Sequence, residues 1–294
     1  MKIYTLLLFL FFVKIGFSQS IYLDSITTVS KRTYTYKKVK KERLRLDFYR
    51  PKKVEKETPV IIYVHGGGFS GGKRNEDYIK KFSFHMAERG YAVASISYQL
   101  IMKQLGFGCD TPSEEKINAF NTASEDISFA IKYLLEKKEK LNIDENKIIL
   151  IGSSAGAEAV LNLAYIYKNN ILPEKFKFAG LISMAGAVIS AEKITEETAI
   201  PTQLFHGTDD QLVPYDISPH HYCKPENKGF LMLYGSKAIA NRLNELDKPY
   251  YIYTIKNGDH SWSSRPMVDC TSDMLDFLYY DVLENKKRQI DITM

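Results

Sequence analysis

The chain has 294 residues, 45% of them hydrophobic and 26% charged, the composition of a globular protein with a substantial core. Without Lys2 and Lys14 of the N-terminal leader, 38 basic residues stand against 35 acidic ones, and no nucleic-acid motif accompanies that weak bias. A nucleic-acid partner is therefore excluded.

Residues 1–18 read as a secretory signal peptide. Lys2 gives the positive start, Ile3 to Val13 is almost wholly apolar, and Gly16 and Ser18 supply the small side chains a signal peptidase takes before Gln19. The apolar run is short for a span of about 20 residues, and Lys14 interrupts it. Cleavage is expected over an uncleaved anchor, leaving a secreted or periplasmic chain with no stable membrane insertion. No repeat or low-complexity linker follows, so residues 19–294 are expected to form one catalytic domain.

Thr33–Val39 and Arg43–Tyr49 alternate in the strand manner around a charged turn, Lys40–Glu42. Their many Lys and Arg suit a solvated edge hairpin better than a site for acidic glycans. From Pro59 strands and helices alternate. Strands are predicted at Val60–Val64, Tyr91–Tyr98, Lys147–Ile151, Phe178–Ala185, Thr202–Phe205 and Tyr250–Ile255. Helices are predicted at Tyr78–Arg89, Ala123–Lys140, Ala155–Tyr167, Ser236–Leu246 and Met267–Leu283. Such alternation predicts an α/β fold, a mostly parallel sheet covered by helices on both faces, with ligands bound beyond the carboxyl ends of the strands.

Gly152-Ser153-Ser154-Ala155-Gly156 fits G-x-S-x-G between a strand and a helix, where a tight turn presses the serine into a strained backbone and needs small neighbours. Gly68-Phe69-Ser70-Gly71-Gly72 fits the same pattern. The continuation separates them: Ser154 opens a helix, whose free amides are useful to an anion, whereas Ser70 leads into Gly71, Gly72, Lys73 and Arg74. Ser154 is thus the candidate nucleophile and Ser70 a loop residue. His65-Gly66-Gly67-Gly68-Phe69 can turn bare amides toward a developing oxyanion, with Gly67, Gly68 and Ala155 as its donors. A phosphate cradle would need Lys-Ser/Thr opening a helix, and Gly72-Lys73-Arg74 offers neither.

These two motifs, followed by His206-Gly207-Thr208-Asp209-Asp210-Gln211-Leu212-Val213-Pro214 and Gly258-Asp259-His260, resemble the esterase/lipase branch of the α/β-hydrolase superfamily. Hormone-sensitive-lipase-like and acetyl-xylan or feruloyl esterases are the nearest in pattern. The resemblance runs from Thr33 to the C-terminus, with the four motifs in the family's order. It implies the α/β-hydrolase fold, and it implies Asp210 as the triad acid, with the adjacent Asp209 as the alternative. His260, on a short turn after the last predicted strand, is the candidate general base. His220 and His221 also fit the order Ser…Asp…His and otherwise line the pocket or brace its loop. His65 and His206 are expected to hold loops, and His85 to be structural.

Many members of this branch carry a long lid. Here only Leu100–Phe120 and Tyr215–Gly235 have room for one, so any cover is short and there is little or no cap. Tyr215 and Trp262 are expected to pack these loops, with lining of the substrate site as the alternative. Three cysteines leave at least one unpaired within the chain. Cys109 and Cys223, in loops expected at one edge of the sheet, are the suggested pair, with Cys223–Cys270 or three free thiols as alternatives. The function expected is hydrolysis of carboxylic esters through an acyl-enzyme on Ser154, without cofactor or metal, on short-acyl esters such as acetyl or feruloyl groups of a polysaccharide. A peptidase or amidase with the same triad, and a silent binding protein on this scaffold, are the alternatives.

Overall fold

The computed structural model describes residues 22–23, 27–52 and 56–294; the leader at 1–18 lies outside them. In chain order the elements are β1 (Val29–Val39), β2 (Glu42–Pro51), β3 (Thr58–Val64), α1 (Asp77–Glu88), β4 (Ala92–Ile96), α2 (Ser113–Leu135) and α3 (Lys138–Leu141). Next come β5 (Ile143–Ser153), α4 (Ala155–Tyr165), β6 (Gly180–Met184), β7 (Ala187–Val188), β8 (Thr202–Gly207), β9 (Ile217–Pro219), β10 (Met232–Gly235) and α5 (Ser236–Glu245). The chain finishes with β11 (Tyr250–Ile255), α6 (Pro266–Asp269), α7 (Thr271–Phe277), a π-helical turn at Leu278–Leu283 and β12 (Gln289–Thr293).

Among the described residues, nine strands form one sheet in the order β1-β2-β4-β3-β5-β6-β8-β11-β12. The pairings from β4 to β12 are parallel, and β1 and β2 add the antiparallel hairpin. Every residue of β3 is buried, as expected of a strand covered on both faces. The two faces carry separate cores. One packs α2, α4 and α5 around Val60, Ile62, Leu150 and Leu204; the other packs α1 and α7 around Ile61, Tyr63, Ile151 and Phe205. Adjacent β3 residues serve opposite faces, the period-two consequence of the pleat. β1 keeps its lysines and arginines largely in solvent at the open edge, where they discourage pairing with a further strand. No helix among the described residues is long and apolar enough to cross a membrane.

The predicted start of the long helix at Ala123 is corrected to Ser113. Pro112 precedes the helix, and Glu114 and Glu115 in its first turn meet the positive end of the dipole, so residues that read as polar loop form a helix start. The helix also stops at Leu135, and Lys138–Leu141 follows as a separate turn. The segments Leu100–Phe120 and Tyr215–Gly235 dock on one another: Gly229 N donates to Cys109 O at 2.9 Å, Ser113 N to Lys228 O at 3.0 Å, and the buried Lys116 Nζ to Gly229 O at 2.8 Å. A disulfide joins Cys109 to Cys223, and Cys270 is a buried free thiol.

That bridge closes a loop of 114 residues. Replacing both cysteines by alanine should lower the unfolding free energy by about 2–5 kcal/mol. Urea denaturation under non-reducing conditions would measure it, and an unchanged midpoint would mean that docking alone fixes these segments.

Candidate active site

β5 ends in a tight turn that leaves Ser154 at φ 51° and ψ −124°, a conformation L-residues rarely adopt. The turn closes because its neighbours lack side chains. A Cβ on Gly156 would collide with the Val64 carbonyl, and one on Gly152 with the Gly156 carbonyl. The Ser154 amide is held by Met184 O at 2.9 Å, and the Ser154 carbonyl accepts the Glu158 amide at 2.9 Å as α4 begins. The serine therefore stands above the carboxyl edge of the sheet, at the amino end of a helix buried almost all round.

Asp210 and His260 arrive from neighbouring parallel strands, β8 and β11, whose ends are in register at Gly207 and Ile255. The loops beyond are stitched together by Thr208 N to Ile255 O and Asp209 N to Gly258 O, each 2.9 Å. His260 Nε2 lies 2.8 Å from Ser154 Oγ, and His260 Nδ1 lies 2.7 Å from Asp210 Oδ2. Asp210 is fully buried, and its Oδ1 accepts the amides of Leu212 and Val213 at 2.9 and 3.0 Å. Burial alone would raise its pKa; hydrogen bonds and charge from His206 and His260 outweigh burial and hold the carboxyl well below the usual carboxylate range. Asp209 is exposed, and among the described residues its carboxylate accepts only from the Thr208 hydroxyl. Ser, His and Asp thus form a continuous hydrogen-bonded chain able to take a proton from the serine and stabilise the resulting imidazolium.

Gly67 and Gly68 line the cleft together with Ser154 and Ala155. Gly67 has φ 115°, which a side chain would strain, and its carbonyl is turned inward to accept the amides of Ser70 and Gly71. Among the described residues, no loop or turn hydrogen bond uses the amides of Gly67, Gly68 or Ala155. They remain available to an oxyanion. Ser70 sits in this loop, its hydroxyl 3.1 Å from Gly67 O.

The remaining candidates divide. His220 and His221 line the cleft of about 490 Å³ beside Ser154. Tyr215 and Trp262, read as possible substrate-lining residues, do not. The Tyr215 hydroxyl is taken by Thr254 at 2.6 Å, and Trp262 is buried in the second core beneath the Arg265 guanidinium. Aromatic area beside a triad is as useful for bracing loops as for binding, and the sequence carries no sign of which way a ring faces. His65 stacks on Tyr98, and His206 bridges the Ser236 hydroxyl and Val213 O. Glu158, Phe107 and Tyr78 are among the cleft residues that escaped the sequence reading. Of these, Glu158 has a signal in the sequence, as the only charged residue of α4.

Burial, then the charges of Lys116 and His260, push the His221 pKa down from 6.5 to about 4. A depressed histidine favours folding above its unfolded pKa, and that contribution fades as pH falls from about 6.5 through about 4. His221→Gln should therefore gain thermal stability relative to the wild type on acidification from about pH 7 to about pH 4. Melting curves of both proteins test this, and a constant difference across the range would refute it.

The BD-FAE family model matches residues 46–188, which hold the glycine loop and Ser154. Gut esterase 1 of Caenorhabditis elegans is 28% identical over 54% of this chain and 28% of its own length. Endo-1,4-beta-xylanase B of Butyrivibrio fibrisolvens is 26% identical over 68% of this chain and 32% of its own length. The chain thus spans about a third or less of the curated relatives it matches. Among solved structures, Thermogutta terrifontis esterase 2 phosphorylated by paraoxon superposes with a TM-score of 0.62 at 15% identity, covering 85% of this chain and 94% of that one. Sheet order, elbow and superposition give the chain the α/β-hydrolase fold, and over residues 46–188 it is similar to the BD-FAE family.

Proposed function

We propose that the protein is a serine esterase that hydrolyses carboxylic esters through an acyl-enzyme on Ser154. The observation that carries this is the unbroken chain from Ser154 Oγ through His260 to Asp210, at 2.8 and 2.7 Å. In the first half-reaction His260 Nε2 takes the serine proton as Oγ attacks the ester carbonyl. The amides of Gly67, Gly68 and Ala155 receive the negative charge that develops on the carbonyl oxygen. His260 then returns the proton to the departing alcohol, and water repeats the sequence to release the acid.

The substrate we propose is a short-acyl ester, such as an acetyl or small aromatic acyl group on a polysaccharide. The cleft of about 490 Å³ suits a small group, and the segments with room for a lid are docked and bridged to each other, adding only Phe107, His220 and His221 to its wall. A polysaccharide fits the xylanase among the relatives and the export expected from the leader. A fluorophosphonate probe should label Ser154, which separates an esterase from a silent binding protein. Across p-nitrophenyl esters from acetyl to palmitoyl, catalytic efficiency should peak among the short chains. A steady rise beyond about eight carbons, at roughly 0.8 kcal/mol per methylene, would mean that a long apolar channel exists.

A further inference from the structure

One turn beyond Ser154, α4 carries an acidic residue into the same cleft. Glu158 is 1% exposed and lines the cleft with Ser154 and His260. The i,i+4 spacing puts it on the helix face that carries the serine. Its Oε1 is buried without a hydrogen-bond partner among the described residues. His220, also a cleft residue, is fully buried, and neither of its ring nitrogens has a partner there. Its Nε2 stands 3.6 Å from Glu158 Oε1, beyond hydrogen-bond reach. The His220 backbone is nevertheless fixed, its amide donating to Leu231 O at 2.8 Å while Phe107 packs edge-on at 4.8 Å. Glu158 Oε1 and both His220 ring nitrogens are thus buried and unused among the described residues, and the Ser154–His260–Asp210 chain does not employ them. Unpaired polar atoms at such depth are costly and call for a use.

We propose that Glu158 and His220 form a hydroxyl-binding subsite beside Ser154, which takes a hydroxyl group of the ester substrate. This rests on the ester-hydrolase reading of Ser154. A hydroxyl both donates and accepts, so it can serve a carboxyl and an imidazole together. Burial and the charge of Asp210 hold Glu158 toward its protonated form against the opposing charge of Lys116, while burial, His221 and Lys116 hold His220 neutral. A neutral partner suits such a pair. A carboxylate ligand would meet Asp210 beyond Glu158, and an ammonium would meet Lys116. Phe107, in the same wall, offers apolar surface to the ring that bears the hydroxyl.

The hydroxyl can belong to the acyl part, as in a phenolic acid, or to the alcohol, as in a sugar. Two substrate pairs separate these sources: methyl 4-hydroxycinnamate against methyl cinnamate, and a monoacetylated methyl xyloside against cyclohexyl acetate. The wild type should favour the hydroxylated member of one pair by about tenfold or more in kcat/KM, since a site built for a hydroxyl rejects the analogue without it. Glu158→Met and His220→Phe should each bring that ratio to within about twofold, while Glu158→Gln, which still donates and accepts, retains most of it. If the methionine variant does not fold, the phenylalanine variant carries the same reading. A variant that slows both members alike and keeps the ratio is merely structural, and that result overturns the subsite. Equal efficiencies in both pairs for the wild type overturn the subsite and leave ester hydrolysis standing; no turnover of any of the four esters overturns both.

Discussion

Ser154→Ala should abolish ester hydrolysis, with a loss on the order of 10⁶ in turnover, as when the nucleophile of a comparable triad is removed. The fold should survive, because alanine keeps the Cβ and loses only the hydroxyl that meets His260 Nε2. Ser70→Ala should leave most activity, although Ser70 sits in an identical sequence pattern in the same cleft. Its hydroxyl faces Gly67 O within its own loop, 3.1 Å away, and among the described residues no histidine is hydrogen-bonded to it. Steady-state rates on p-nitrophenyl acetate, with circular dichroism as the folding control, compare the two. Retained turnover in folded Ser154→Ala would remove the nucleophile assignment.

Asp210→Asn should cost about 10⁴ in turnover. The geometry dictates how. The amides of Leu212 and Val213 point at Oδ1, so an asparagine will keep its carbonyl oxygen there and turn its NH₂ toward His260 Nδ1. The imidazole must then accept at Nδ1 and carry its proton on Nε2, facing Ser154 with a donor where the serine needs an acceptor. Packing should barely change, so the loss belongs to the tautomer and not to the fold. Asp209→Asn, at an exposed carboxylate bonded only to Thr208, should change turnover by less than about threefold. Small and equal losses from both variants would show that neither carboxylate orients the base.

Patterns of short range carried most of the fold. β3, β8 and β11 are apolar runs between turn residues, and each lies where that pattern puts it, while β5 contains the predicted Lys147–Ile151 but begins at Ile143 through the polar Asp144-Glu145-Asn146. The elbow was legible because its chemistry demands small residues at fixed offsets, and the register of β8 with β11 explains why Asp210 and His260 meet across a separation of 50 residues. What escaped was set by long-range packing. β7, β9 and β10 make a three-stranded sheet of two to four residues per strand, too short for any alternation to register. β12 is a five-residue edge strand that owes its order to β11. Tyr215 and Trp262 stand near the triad in sequence yet turn away from the cleft, while Phe107 reaches it from a segment that read as polar loop. Side-chain direction in loops depends on partners far along the chain, and composition does not encode it locally.

The backbone of Ser154 sets the interests of folding against those of chemistry. At φ 51° and ψ −124° glycine would be the easier residue, and the same holds one turn on, where an apolar side chain would be the easier tenant of the space Glu158 occupies. Evolution drifting toward stability alone would thus erase the cleft residue by residue, beginning with its least comfortable members. The converse follows for an experimenter: a library selected only for resistance to heat, with no ester in the assay, should accumulate its gains around Ser154 and so trace the outline of the site.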